Sequence, residues 1–200
     1  MRSRRQDYSE STRQALVDSA VELFTKNGYA GTSLDAVAKR ARVTKGALYH
    51  HFDGKQALFE AAFDVVERAA VERLRRAVAS AEPAWERAMR GVDSYIKSCL
   101  EPSYQRIVVH EGPVVMGWER WRETEEKYSY GLVRTTIEDL MAAGEMVELP
   151  LEVTTRILFG ALSAGAAVIA GAADPKKAGA EVSRTIVAVM TGMRGQARGG

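Results

Sequence analysis

Apolar residues recur along the chain at spacings of three and four, and the strict alternation that builds strands is almost absent. Leu16, Ala20, Leu23 and Phe24 share one face of a helix predicted over 11–27, and Asn27-Gly28 supplies its C-terminal stop. A short second helix follows the "GTS" stretch. Thr32 or Ser33 can cap it, and Leu34, Val37, Ala38 and Ala41 line one side. A third short helix begins at Thr44, a good N-cap, with Val43 and Leu48 at hydrophobic-staple positions and Phe52 at its end. Asp53-Gly54 then opens a long helix reaching to about Ser80, with Leu58, Phe63, Val66 and Leu74 on its apolar side.

The remaining pattern predicts helices near 83–100, 103–111, 118–144, 151–172 and 176–194, with five prolines spaced to mark boundaries. "VVMGW", residues 114–118, is the one β-like piece. The fold class expected is all-α: a small N-terminal helical bundle over 1–54 and a larger helical domain over 55–200.

Composition changes this picture little. With 200 residues and 46% hydrophobic content, the chain can bury a core without staples. The lone Cys99 allows no intrachain disulfide, which fits a reducing compartment. The basic start "MRSRRQDYSES" has no apolar run behind it and is not a signal peptide. The longest apolar run, Gly160 to Ala173, is short and rich in Ala and Gly, so no membrane span is expected and the location expected is cytoplasmic.

Charge changes it more. The net charge is only +2, yet residues 1–55 hold ten Lys/Arg against six Asp/Glu. A basic front on a slightly acidic body points to an anionic partner at the front alone.

The stretch "VTKGALYHHF", Val43 to Phe52, gives that partner a docking element. Two short helices joined by a tight turn form a helix-turn-helix, whose second helix enters the major groove of DNA. Such a helix needs small residues near DNA, apolar anchors behind and polar tips in front. Gly46 and Ala47 are small, Leu48 and Phe52 anchor, and Thr44, Lys45, Tyr49 and His50 can point outward together. Thr44 can meet phosphate through its hydroxyl and the helix start, and Lys45 can meet phosphate or guanine. Tyr49 offers a hydroxyl and a ring face, and Lys55 is a further phosphate contact.

At this point the sequence resembles the TetR-type transcriptional regulators. The resemblance is carried by "LFTKNGYAGTSLDAVAKRARVTKGALYHHFDGKQALFEAA", Leu23 to Ala62, a long pattern with fixed gaps. It implies an all-helical homodimer that binds double-stranded operator DNA through three N-terminal helices. It also implies a C-terminal domain that dimerises and holds a small-molecule effector. Carried over by position, Thr32, Ser33, Thr44, Lys45, Gly46, Tyr49, His50 and Lys55 match DNA-facing residues. One departure is Arg42, which stands where the family usually has glycine in the turn. A positive φ there costs an arginine about 1 kcal/mol, and Arg42 can offset it as an extra phosphate contact.

Other chemistry finds less support. His50 and His51 point about 100° apart on a helix and have no carboxylate or cysteine at ligand spacing, so no metal is expected. His51 is expected to pack partly against the front bundle. There is no nucleophile elbow, dinucleotide fingerprint or phosphate loop, so neither catalysis nor a cofactor is expected. The basic "RSRR" is either a DNA-contacting arm or a solvated tail.

In the body, Tyr95, Cys99, His110, Trp118, Trp121 and Phe159 would suit a flat apolar effector, though each could equally fill a core. The stripes Ala161, Gly165, Val168, Ala172 and Val182, Ile186, Val189, Met193 are expected to form a four-helix dimer interface, with an intrachain seam as the alternative. The function expected is a repressor released from a pseudo-palindromic operator by a small apolar or aromatic effector. A constitutive DNA-binding dimer, or a helical carrier or enzyme, stand as alternatives.

Overall fold

The break at Asn27-Gly28 falls where the pattern puts it, but it is a kink and not an end. In the computed structural model, which describes residues 4–79 and 83–195, helix α1 runs Arg4–Gly31 with Gly28 alone out of helical geometry at φ 74°. Residues 2 and 3 of the "RSRR" arm, Ser80 and residues 196–200 of the tail "RGQARGG" lie outside the described residues. Helices α2 (Leu34–Arg40), α3 (Lys45–His51) and α4 (Lys55–Val78) follow. The front three-helix pattern is therefore present, with α4 ending close to its expected limit.

Beyond it lie α5 (Ala84–Cys99), a π-helical segment Tyr104–Glu111, α6 (Gly112–Met116) and α7 (Trp118–Glu125). A second π-helical segment, Glu126–Tyr130, leads into α8 (Gly131–Ala142), and α9 (Leu151–Gly171) and α10 (Pro175–Gly192) close the chain. The β-like "VVMGW" is not a strand: Gly112-Pro113 starts α6, proline suits a first turn, and Gly117 at φ 83° ends it. The expected helix over 118–144 is interrupted by the five-residue π segment.

The chain forms two compact units, residues 1–67 with 102–121, and residues 68–101 with 122–200. The division runs inside α4 and α7. The front unit buries Leu16, Phe24, Leu48, Leu58, Phe59 and Phe63. Phe24, Tyr29 and Phe59 form an aromatic triangle, with ring centroids 5.3 to 5.9 Å apart. The kink at Gly28 is packed tightly, since a Cβ there would meet the side chains of Arg106 and Glu111. Glu111 accepts the Tyr29 backbone N–H at 2.8 and 3.0 Å and pairs with Arg106 at 3.1 Å. A donor released by the kink is thus satisfied by a carboxylate distant in sequence.

The rear unit is built on α5, α8, α9 and α10, with Trp85, Ile96, Ile137, Leu140, Leu158 and Ile169 inside. Gly165 lets α10 approach α9: a Cβ there would lie 2.6 Å from Val182 Cγ1. Helix α8 ends in a two-bond turn, with Glu145 N–H donating to Leu140 O at 2.9 Å and Gly144 N–H to Met141 O at 3.0 Å. Gly144 takes φ 69° to close it. The Glu145 carboxylate accepts the Trp85 N–H at 2.6 Å, at the start of α5. Arg194, bridged to Met146, lays its guanidinium 4.6 Å from the Trp85 ring centroid.

Helix α9 spans 21 residues with mean hydropathy 1.6, long and apolar enough to cross a membrane by length and composition, with a third of its apolar window buried. The apolar run read from sequence stopped short because it began at Gly160, whereas the helix begins at Leu151.

Candidate nucleic-acid interface

Two local devices set the angle between α2 and α3. At the N-terminus of each, a hydroxyl caps the helix: Ser33 Oγ accepts Ala36 N–H at 3.1 Å and Thr44 Oγ1 accepts Ala47 N–H at 3.1 Å. Of the two caps considered for α2, Ser33 fills the role. Between the helices, Val43 N–H donates to Ala38 O at 3.0 Å and Arg42 N–H to Lys39 O at 3.2 Å. This is the same two-bond helix ending that Gly144 closes on α8, and here Arg42 closes it at φ 58°. Among the described residues Arg42 is the one non-glycine with positive φ. The turn that normally favours glycine is therefore made by a long cationic side chain that is exposed.

Helix α3 sorts its residues by face. Leu48 is fully buried, and Phe52 at its C-cap is buried beneath the Arg13 guanidinium, 5.1 Å from the ring centroid. Thr44, Lys45, Gly46, Tyr49 and His50 are exposed, Tyr49 at 50%. A Cβ added at Gly46 would meet only Thr44 Oγ1, at 3.9 Å, so the α3 backbone is open to a close approach there. His51 is half-buried, and burial, with His50 and Arg13 adding to it, pushes its imidazole below the usual range. It is then neutral at pH 7, in keeping with a packing role.

One expected contact is withdrawn from the surface, and a second is partly engaged within the fold. Thr32 is 3% exposed, and its hydroxyl is held by Gly28 O at 2.8 Å and Leu23 O at 3.1 Å. That side chain stitches the end of α1 and is withdrawn from any surface. Lys55 is half-buried, with its ammonium 4.4 Å from the Tyr29 ring centroid.

One neighbour went unnoticed in the sequence. Asp35, in the first turn of α2, holds the Lys45 ammonium at 2.9 Å, and that hydrogen bond raises the lysine's pKa. The only sequence signal was an acid two residues after the α2 cap, and nothing in the pattern shows which α3 residue it reaches. A second ion pair joins Arg40 of α2 to Glu22 of α1.

The six residues considered for an effector divide three and three between the units. In the front unit His110 is exposed and Trp118 is 62% exposed, while Trp121 is buried with its indole N–H donating to Val108 O at 2.9 Å. In the rear unit Cys99 is fully buried, Tyr95 donates its hydroxyl to Leu162 O at 3.2 Å, and Phe159 packs edge-on to Tyr130. His110 and Trp118 therefore face solvent and wall no interior within their unit.

The two stripes expected at a dimer interface are also partly reassigned. Gly165 and Ile186 are buried, and Val182 lies against Gly165, so these three form the seam between α9 and α10 of one chain. Ala172 and Met193 are half-buried C-caps. Ala161, Val168 and Val189 are exposed. With Val153, Ile157 and Ala164, which the sequence reading missed, Ala161 and Val168 form an exposed apolar stripe within an arc of about 80° on α9. Beside it α10 presents Glu181, Arg184, Thr185, Ala188 and Val189 along a shallow depression.

Comparison with known proteins agrees with this architecture. The profile for bacterial regulatory proteins of the tetR family matches residues 16–62, and that for the tetracyclin repressor-like C-terminal domain matches residues 85–193. The Transposon Tn10 TetC protein of Escherichia coli is 25% identical over 159 residues, covering 80% of each chain. The icaADBC negative transcriptional regulator IcaR of Staphylococcus aureus is 44% identical over 45 residues, 22% of this chain and 24% of that one. A crystal structure of a TetR-family transcriptional regulator from Pectobacterium atrosepticum superposes with TM-score 0.86 at 28% identity, covering 98% of this chain and all of that one. With family profiles on both its front helices and its rear ones, this chain belongs to the TetR family of DNA-binding transcriptional regulators.

Proposed function

We propose that the protein is a cytoplasmic homodimeric repressor that reads a pseudo-palindromic operator with α3 and leaves it when a small apolar or aromatic molecule binds. The observation that carries the DNA-reading part is the polar face of α3. Thr44, Lys45, Gly46, Tyr49 and His50 are all exposed, on a short helix fixed behind by buried Leu48. In this reading Lys45 and His50 meet base edges, while Thr44, Tyr49, Ser33, Arg42 and Lys55 meet phosphates. Thr44 and Ser33 use their hydroxyl protons, because their oxygens already accept the capping bonds.

The dimer follows from the exposed apolar stripe on α9. Apolar residues lined up on one face of a well-packed helix are a surface that another apolar face covers. A two-fold pairing of α9 and α10 with their mates makes a four-helix interface and brings two α3 helices into one assembly, as a two-part operator needs. The effector part rests on family precedent. By linkage, a ligand that releases DNA must bind less tightly when DNA is present. No catalytic role is assigned.

The test is selection of bound duplexes from random-sequence DNA, followed by titration across a salt series. Two inverted half-sites with a steep salt slope are the expected result. Binding without symmetry would remove the dimeric reading, and no duplex binding at low ionic strength would remove the whole.

A further inference from the structure

Within the recognition face sits a residue of the wrong sign for its partner. Asp35 is exposed, stands in the first turn of α2, and carries a full negative charge on the surface that meets a polyanion. A carboxylate there repels phosphate, and a sequence shaped only for tight binding to DNA would not retain it. The capping bond of α2 is made by Ser33, so at the start of that helix Asp35 adds only its charge against the helix dipole. Its contact is with the opposite element: Asp35 Oδ1 lies 2.9 Å from Lys45 Nζ, the first residue of α3. Both side chains are well exposed, at 67% and 61%, so the pair does little for stability in water.

We infer that Asp35 is a specificity-determining residue, which holds the Lys45 ammonium away from phosphate and releases it only where a base edge can replace the carboxylate. The reasoning compares two destinations for Lys45. On an arbitrary sequence the ammonium can gain only a phosphate, and doing so leaves Asp35 unpaired beside the DNA backbone. The exchange is close to neutral, so non-specific binding gains nothing from this lysine. On the right sequence a guanine edge accepts from Lys45. A neighbouring cytosine amino group can donate to the freed Asp35, so neither charge is stranded. Specificity is a difference between affinities, and a repulsive group that penalises wrong sites raises it as surely as a new attractive contact. Arg42, at the corner between the same two helices, is free of such a clamp among the described ion pairs, and remains a plain phosphate contact on this account.

This inference rests on the DNA-binding reading and goes beyond it, and the experiment separates the two. Asp35→Asn keeps the side-chain size and an acceptor oxygen while removing the charge. Purified parent, Asp35→Asn, Lys45→Ala and the double variant are titrated by fluorescence anisotropy into a labelled random-sequence duplex and a duplex enriched by selection. Circular dichroism checks that helix content is unchanged. The expected result for Asp35→Asn is random-duplex affinity raised about three- to tenfold, a log–log salt slope steeper by about one, and a narrower gap between the two duplexes. In the Lys45→Ala background the same change is expected to give most of that gain no longer, because the released lysine is absent. Unchanged or weaker random-duplex binding by Asp35→Asn overturns the inference. So does a gain of full size without Lys45, which would show general charge repulsion and no clamp. If the parent binds neither duplex, it is the DNA-binding reading that fails.

Discussion

Two of the exposed surfaces of this chain have opposite chemistry. On the front unit, α3 presents Thr44, Lys45, Gly46, Tyr49 and His50, polar or small at every position. On the rear unit, α9 presents Val153, Ile157, Ala161, Ala164 and Val168, apolar at every position. Both helices are anchored by ordinary buried residues behind, Leu48 in one and Leu158 and Ile169 in the other. The difference between the faces therefore concerns what each meets. A polar, lysine-bearing face leaves its groups hydrated until an anionic partner arrives. An apolar face held in water carries a standing free-energy cost that only a second apolar surface removes.

The comparison can be broken most forcefully at the apolar face. Val168 is 58% exposed, and Ile157 is 64% exposed. Placing a charge there, as in Val168→Asp, leaves the monomer fold intact but buries an unpaired carboxylate in a dimer that covers this stripe. The expected effect is weakening of self-association by about a hundredfold or more, read by sedimentation. Operator binding should fall with it. An unchanged dimer would show that this stripe is not the interface.

Burial separates two acids of this chain in their titration. Asp35 of the front unit stands in water, whereas Glu125 of the rear unit is 6% exposed, with the Ser163 hydroxyl 3.4 Å from its carboxylate. Burial raises the Glu125 pKa to about 7, and the serine contact offsets this only in part. An acid with a raised folded pKa takes up a proton on folding between its unfolded and folded values. Its contribution to stability is therefore most favourable below about pH 4.5 and declines as pH rises through about 7. Glu125→Gln should remove that decline and stabilise the protein at pH 8 by roughly 2–3 kcal/mol, measured by urea unfolding across pH. A parallel pH profile in parent and variant would contradict the assignment.

At the start of α4, Lys55→Ala is expected to weaken duplex binding about tenfold and lower the log–log salt slope by about one. Its loss of the Tyr29 ring contact should cost stability less than about 1 kcal/mol. A full loss of DNA binding together with unfolding would make Lys55 a structural residue instead.

The smallest expected effects come from the two matched helix endings. Arg42 and Gly144 close the same pair of hydrogen bonds at φ 58° and φ 69°. Arg42→Gly should raise stability by about 1 kcal/mol, and Gly144→Ala should lower it by a similar amount. If Arg42 meets phosphate, the stabilised Arg42→Gly variant also binds DNA less tightly, with a shallower salt slope. Stability and affinity moving in opposite directions is the signature of a residue kept for its partner.

The sequence was most informative where local chemistry decides the outcome. Thr44 as N-cap, the staple pair Val43 and Leu48, and the strained corner at Arg42 all depend on neighbours within a few residues. The later helix limits followed from proline and glycine positions for the same reason. Legibility ended where a contact spans elements. Thr32 and Ser33 look alike as caps, and only the kink at Gly28 turns the Thr32 hydroxyl inward. The small-residue stripe on α9 was visible, but Gly165 is buried against Val182 while Val168, less than one turn on, is exposed. Which face meets α10 depends on packing that a single helical period does not encode. "VVMGW" read as strand because a five-residue apolar run has no period of its own. The Asp35–Lys45 pair was invisible for the same reason as Glu111 on the Tyr29 N–H: each joins elements whose approach is set by the fold.

The most direct measurement is a salt titration of the purified chain against the duplex pool that it enriches from random sequence. Two inverted half-sites, bound with an affinity that falls steeply and linearly in log salt, and lost in a variant lacking Lys45, Tyr49 and His50, are the result expected. Equal binding by that triple variant, or indifference to duplex DNA at the lowest salt, would contradict α3 as the reading helix.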